Sequence, residues 1–302
     1  MSGIGYEAAA LAAGFSWAIG GLIATGPSRE LGGPRFTRLR MYWVAFALVV
    51  IATAAGGWNT LGAGDLVLLG SSGIIGLAIG DAALFSAFAR LGPRRTSILF
   101  TTNAPMTAFA SAVLFGERFD GPSVTGAVAV LIGVGLAIAF GTRPGQKHGW
   151  EQVQGPLMVG IGFGLLGAAG QSMGVLLADP VFDGPEEVSP WAAAAVRAVM
   201  GLAALVGFRR WFEGRSTIPY PTSFSWKLIG VIILSGTIAM VLGKTLVLVA
   251  LDGGDPGIVS VLVSTTPALQ LPLIWAVTRE RPPLAAWAGA GLAAAGTALI
   301  VT

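Results

Sequence analysis

The 302-residue chain is 54% hydrophobic and only 11% charged, with a formal net charge of +3 and a mean hydropathy of +0.76. Soluble domains carry about 25% charged residues, so this composition describes a chain that crosses a bilayer many times. No cysteine and a lone histidine, His148, exclude disulfides, thiolate metal sites and histidine clusters. The basic residues are spread over short connections and build no nucleic-acid-binding face.

A spanning helix needs about 20 mostly apolar residues. Ten segments qualify, at 6–26, 37–57, 65–89, 95–116, 122–141, 156–178, 190–211, 226–250, 256–278 and 283–301. The first lacks a basic leader and a cleavage site, so it is predicted to be a spanning helix and not a removed signal. Short Gly-, Pro- and charge-rich connections separate the segments. Fifteen of the 18 Lys and Arg fall in alternate connections, those after segments one, three, five, seven and nine; Arg118 alone lies opposite. The basic side is predicted to face the cytoplasm, which puts both termini outside, in a plasma membrane or bacterial inner membrane. That orientation also places Ala63 and Asp183 outside and Gln146 and Thr217 inside.

The chain says one thing twice. The stretch 97–118 carries Thr101, Thr102, Asn103, a helix-breaking Pro105 and a closing Glu117-Arg118 pair. It recurs at 260–281 with Ser264, Thr265, Thr266, Pro267 and Glu280-Arg281. Ser235, Gly243, Pro256, Gly289 and Gly296 follow Ser72, Gly80, Pro93, Gly126 and Gly133 at a constant offset of 163, and only Pro105 and Pro267 slip by one. Matches of Pro, Ser, Thr, Glu and Gly at one offset mark a duplication. Five helices per unit is an odd number, so the second copy must enter the bilayer from the other side. The units 1–141 and 156–302, joined by a cytoplasmic linker at 142–155, are predicted to be inverted repeats, the arrangement in which secondary transporters hold substrate near the midplane.

Charges at membrane depth are the strongest pointers to function, because each costs at least about 2.5–3.5 kcal/mol at a helix centre. Asp81, Arg197 and Lys244 qualify. Asp81 and Lys244 are equivalent in the two units, and they read either as a structural ion pair or as groups that meet a zwitterionic substrate or a proton. Arg197 corresponds to Arg40 and reads as a structural contact to backbone carbonyls.

Pro105, Pro267 and Pro272 are candidate hinges or static kinks, with Thr101, Asn103, Ser264, Thr265 and Gln270 beside them as hydrogen-bond partners. Segment six is glycine-dense, which favours close helix packing; Phe163 and Gln171 on it remain pathway candidates. Trp17 lies deeper than the tryptophans of the interfacial belts. Fixed charge near these residues is sparse, which argues against phosphorylated substrates. There is no GxSxG, HExxH or P-loop, so neither an enzyme nor an ATP-driven pump is predicted, and no cofactor or metal is called for.

Ten helices in two units, each with a proline-bearing fourth helix ending in Glu-Arg, resemble the drug/metabolite transporter (DMT) superfamily, EamA family. Pro105 with Glu117-Arg118 and Pro267 with Glu280-Arg281 carry the resemblance, and the whole sequence is most similar to YddG-like aromatic amino acid exporters. The resemblance implies an all-α basket of ten transmembrane helices around a central cavity lined by segments one, three, four, six, eight and nine. It also implies that segments five and ten lie at the periphery, in a monomer or homodimer. The expected function is export of small metabolites, aromatic or other large neutral amino acids, by alternating access. A carrier of drug cations or nucleotide sugars is the alternative, and a non-transporting scaffold a more distant one.

Overall fold

The computed structural model describes residues 3–115, 121–140, 152–182, 188–214, 218–219, 223–251, 258–259, 262–263 and 265–301. Among these the regular structure is entirely helical. Eight helices are long and apolar enough to cross a membrane: α1 Gly5–Leu31, α2 Gly33–Ala55, α3 Ala63–Leu91, α4 Pro93–Leu114, α5 Gly121–Phe140, α6 Leu157–Phe182, α7 Pro190–Gly207 and α8 Trp226–Val247. Two shorter apolar helices, α9 (Thr266–Thr278) and α10 (Leu284–Val301), follow at the positions of the last two predicted segments.

Single glycines turn the chain between neighbouring spans. Gly32 (φ 81°, ψ 146°) separates α1 from α2, and Gly92 (φ 82°, ψ 171°) separates α3 from α4. Both lie in a region that essentially only glycine enters. Pro93 then starts α4 within its first turn, where its missing N–H costs nothing.

These tight turns correct the sequence reading of the basic connections. Arg29 lies in the last turn of α1, and Arg35, Arg38 and Arg40 lie inside α2. Three of the four guanidinium groups find folded partners. Arg38 Nε donates to Glu213 Oε1 at 2.6 Å. Arg35 Nη1 donates to the Ile218 carbonyl at 2.6 Å, and Arg29 Nη2 to the Gln152 carbonyl at 2.8 Å. The Arg90 carbonyl accepts from the Gln154 amide at 2.8 Å. The connections that follow α1, α3, α5 and α7 therefore meet at one end of the molecule.

Helices of the two units interleave. α1 packs on α3, α8 and α9; α6 packs on α3 and α4; α2 packs on α7. α5 and α10 cross closely. A methyl on Gly126 would lie 2.5 Å from the Gly296 carbonyl oxygen, and one on Gly133 would lie 2.6 Å from that of Gly289. The reciprocal distances, Gly296 to Gly126 and Gly289 to Gly133, are 2.5 and 2.6 Å. As α5 advances α10 retreats, so the helices are antiparallel, and each glycine faces the repeat mate of the other glycine on its own helix. In lipid, such contact replaces the missing hydrophobic drive with van der Waals packing of bare backbones.

Candidate functional site: a buried charge cluster between broken helices

Two interruptions shape the interior. The first is the Thr-Thr-Pro motif. α4 is broken by a turn at Thr101-Thr102, and a new helix starts at Asn103. Pro105 therefore sits in a first turn, and the carbonyl it would have left bare, that of Thr101, accepts from the Ala104 amide at 3.2 Å. The break precedes the proline. Thr102 Oγ1 donates to the Leu99 carbonyl at 2.8 Å, and Thr265 Oγ1 donates to that of Leu262 at 2.6 Å. The two bonds are related by the same offset of 163, so the duplication extends to individual hydrogen bonds. Thr101 Oγ1 likewise donates to the Ile98 carbonyl at 2.6 Å. These hydroxyl protons serve the local backbone. Pro267 also lies in the first turn of its helix, whereas Pro272 is inside α9 and has no counterpart. Ser264, Glu117 and Arg118 lie outside the described residues.

The second interruption is a pair of π-helical stretches, Gly73–Gly80 in α3 and Thr237–Leu242 in α8, again at equivalent positions. π turns are rare and concentrate at functional sites. Asp81 directly follows the first, and Gly243-Lys244 the second. Trp17 Nε1 donates to the Ala239 carbonyl at 2.9 Å, which fixes the indole against the second stretch. The first stretch faces α6 and α7. Ser72 Oγ donates to the Gly174 carbonyl, and the Arg197 carbonyl closes on Gly73. A methyl at Gly76 would lie 3.4 Å from Gln171 Oε1 and 3.7 Å from Arg197 Nη2.

Four charged side chains converge here. Asp81 lies within electrostatic range of Arg40 from α2, Arg197 from α7 and Lys244 from α8. Asp81 is 7% exposed and Arg40 4%. The Asp81 carboxylate has no hydrogen bond and no contact ion pair among the described residues. The Nε atoms of Arg40 and Arg197 and the Oε1 of Gln171 also lack hydrogen-bond partners. Arg40 instead stacks on Phe85, its guanidinium carbon 4.7 Å from the ring centroid. The sequence reading thus needs one change: Arg40 is buried beside Asp81, inside α2 and not in a connection.

The other candidates are placed apart. Gln270, 1% exposed, donates from Nε2 to the Ala18 carbonyl at 3.4 Å. Asn103 contributes its carbonyl, which accepts from Ser172 Oγ at 2.8 Å. Phe163 lies under Arg90, 5.7 Å from ring centroid to guanidinium carbon. A lateral apolar groove of about 490 Å³ opens between α2 and α8, bounded by residues such as Tyr42, Trp43, Phe46 and Ile233, and holds none of the predicted site residues.

A model of the EamA-like transporter family matches the chain twice, over residues 5–139 and 158–302. The chain belongs to the EamA-like transporter family. It is thus a multi-pass membrane transporter that acts on a small molecule within a lipid bilayer, and the double match is the duplication read from the sequence. A solved crystal structure shares the fold of this EamA chain at a TM-score of 0.64 and 17% identity, covering 97% of this chain and 95% of that one. No curated protein matches the sequence.

Proposed function

We propose that this EamA protein is a secondary transporter that exports aromatic or other large neutral amino acids by alternating access between two inverted five-helix halves, 1–141 and 156–302. The antiparallel α5–α10 crossing carries this reading. Counterpart helices that cross antiparallel, with Gly126 on Gly296 and Gly133 on Gly289, are related by a two-fold axis perpendicular to the helices. Such an axis lies in the membrane plane and inverts one half onto the other. The matched breaks in α3 and α8 and before Pro105 and Pro267 are the discontinuous helices that line transporter sites. Trp17 offers a ring, Asn103, Gln171 and Gln270 offer amides, and Thr265 offers a hydroxyl oxygen to a zwitterion with a large side chain. Three cations beside a single carboxylate weigh against a drug cation.

Counterflow in proteoliposomes tests the proposal. Vesicles loaded with unlabelled phenylalanine are expected to accumulate labelled phenylalanine, with tryptophan competing. Uptake of nucleotide sugars or quaternary amines without phenylalanine uptake would overturn the substrate, and no flux of any solute would favour a scaffold. The cysteine-free sequence allows the orientation to be read directly. Ala63→Cys is expected to react with an impermeant thiol reagent from outside the cell, and Gln152→Cys only after the membrane is opened.

A further inference from the structure

The charge cluster is unbalanced. Three cations face one carboxylate, all four on membrane-spanning helices, and none of the cations is in contact with that carboxylate. Arg40 and Asp81 are buried and Arg197 and Lys244 half-buried, and an excess of charge shielded from water is unfavourable unless a counter-charge joins it. The Nε atoms of Arg40 and Arg197 are guanidinium donors without a hydrogen-bond partner among the described residues. Guanidinium groups match carboxylates in geometry and pair with them through charge-assisted hydrogen bonds. Beside Arg197 the unbonded Gln171 Oε1 adds a neutral acceptor. Glycines 73, 76 and 243 let the Arg197 carbonyl, the Gln171 amide and the Trp17 ring close on the π turns, which brings these groups to the cluster. The cluster draws Arg40 and Asp81 from one unit and Arg197 and Lys244 from the other, so a ligand held there would bind both halves at once.

We propose that Arg40, Arg197 and Lys244 form a subsite for the carboxylate of the transported solute, and that Asp81 with Gln171 Oε1 receives its ammonium group. The ammonium half rests on the amino-acid reading above; the carboxylate half stands on the charge count and those two guanidinium donors alone. The site discriminates by charge pattern. A zwitterion satisfies both halves, a simple carboxylate satisfies one, and an amine without a carboxylate meets net repulsion.

Titration calorimetry on the full-length protein in lipid nanodiscs, with benzoate, L-phenylalanine and L-phenylalaninamide as probes, separates these cases. Benzoate and phenylalanine are expected to bind, and phenylalaninamide about tenfold more weakly or not at all. Arg197→Gln and Lys244→Met are each expected to weaken benzoate about tenfold, the loss of one charge-assisted contact. Asp81→Asn is expected to act in the opposite sense on benzoate, tightening it by removing the competing carboxylate, while phenylalanine gains nothing over benzoate. If Asp81→Asn fails to fold, the two cation variants, checked for folding by thermal unfolding, still decide. Benzoate binding without phenylalanine binding supports the carboxylate subsite and overturns the amino-acid reading. Phenylalanine transport that is unchanged in both cation variants, or amide binding equal to that of phenylalanine, overturns the subsite and leaves the transporter reading intact. Absence of benzoate binding to the unmodified protein overturns it outright.

Discussion

The two halves meet at two very different places. At the α5–α10 crossing the duplicated residues have stayed the same: glycine faces glycine, and the contact is its own mirror under the repeat. Where α2, α3, α7 and α8 converge, the backbone has stayed the same and the side chains have not. Both units keep a π stretch followed by a charge, yet one charge is Asp81 and the other Lys244. A closed structural contact tolerates symmetry, and identical small residues serve it best. A site for an asymmetric ligand has to break symmetry, and opposite charges at equivalent positions do so.

The sharpest way to break this comparison is to remove the single anion. Asp81→Asn leaves Arg40, which is buried, and Arg197 and Lys244, which are half-buried, without their one nearby carboxylate; a fully buried charge so stranded typically costs about 3–5 kcal/mol, and this change is expected at the lower end of that range. Lys244→Met reduces the excess charge and is expected to cost much less. Unfolding in mixed micelles measures both, and equal losses would show that the cluster is an ordinary ion pair. Next in size is the glycine crossing. Gly133→Leu is expected to lose stability by about 1–3 kcal/mol or more from overpacking, with Gly296→Leu costing a similar amount because the two positions are equivalent. Markedly unequal losses would contradict the symmetric crossing.

The smallest effect concerns the Thr-Thr-Pro breaks. Thr102→Val and Thr265→Val each remove one hydroxyl bond to a carbonyl three residues back, at 2.8 and 2.6 Å. Each is expected to cost about 0.5–1.5 kcal/mol. Two losses of the same size would tie the breaks to a shared structural role, whereas a selective effect of Thr265→Val on transport would assign that hydroxyl to the pathway.

What the sequence made legible is what the duplication repeats in residue identity. Constant-offset glycines announced the duplication, and the structure uses those same glycines at the α5–α10 contact; Thr102 with Thr265 lies at the matched helix breaks. The breaks themselves were assigned to proline, but the turn lies upstream at Thr101-Thr102, because proline is at ease in a first turn and ends the preceding helix instead. Arg40 stayed hidden because Arg35 and Arg38 precede it in sequence; only its correspondence with Arg197 separated it from a basic cytoplasmic end. The π stretches left no periodic signal. Gly73, Gly76 and Gly80 are spaced as helix-packing glycines are, and a widened turn depends on what α6 and α7 press against it.

Alternating access around the charge cluster is the central claim, and accessibility of position 171 tests it most directly. The Gln171→Cys protein would carry a single thiol, beside Gly76 and the Arg197 guanidinium. In proteoliposomes of fixed orientation, a membrane-impermeant methanethiosulfonate is expected to label that thiol from either side, and saturating phenylalanine to protect it from both. Labelling confined to one side, or absent from both, in a protein that still transports would contradict the account.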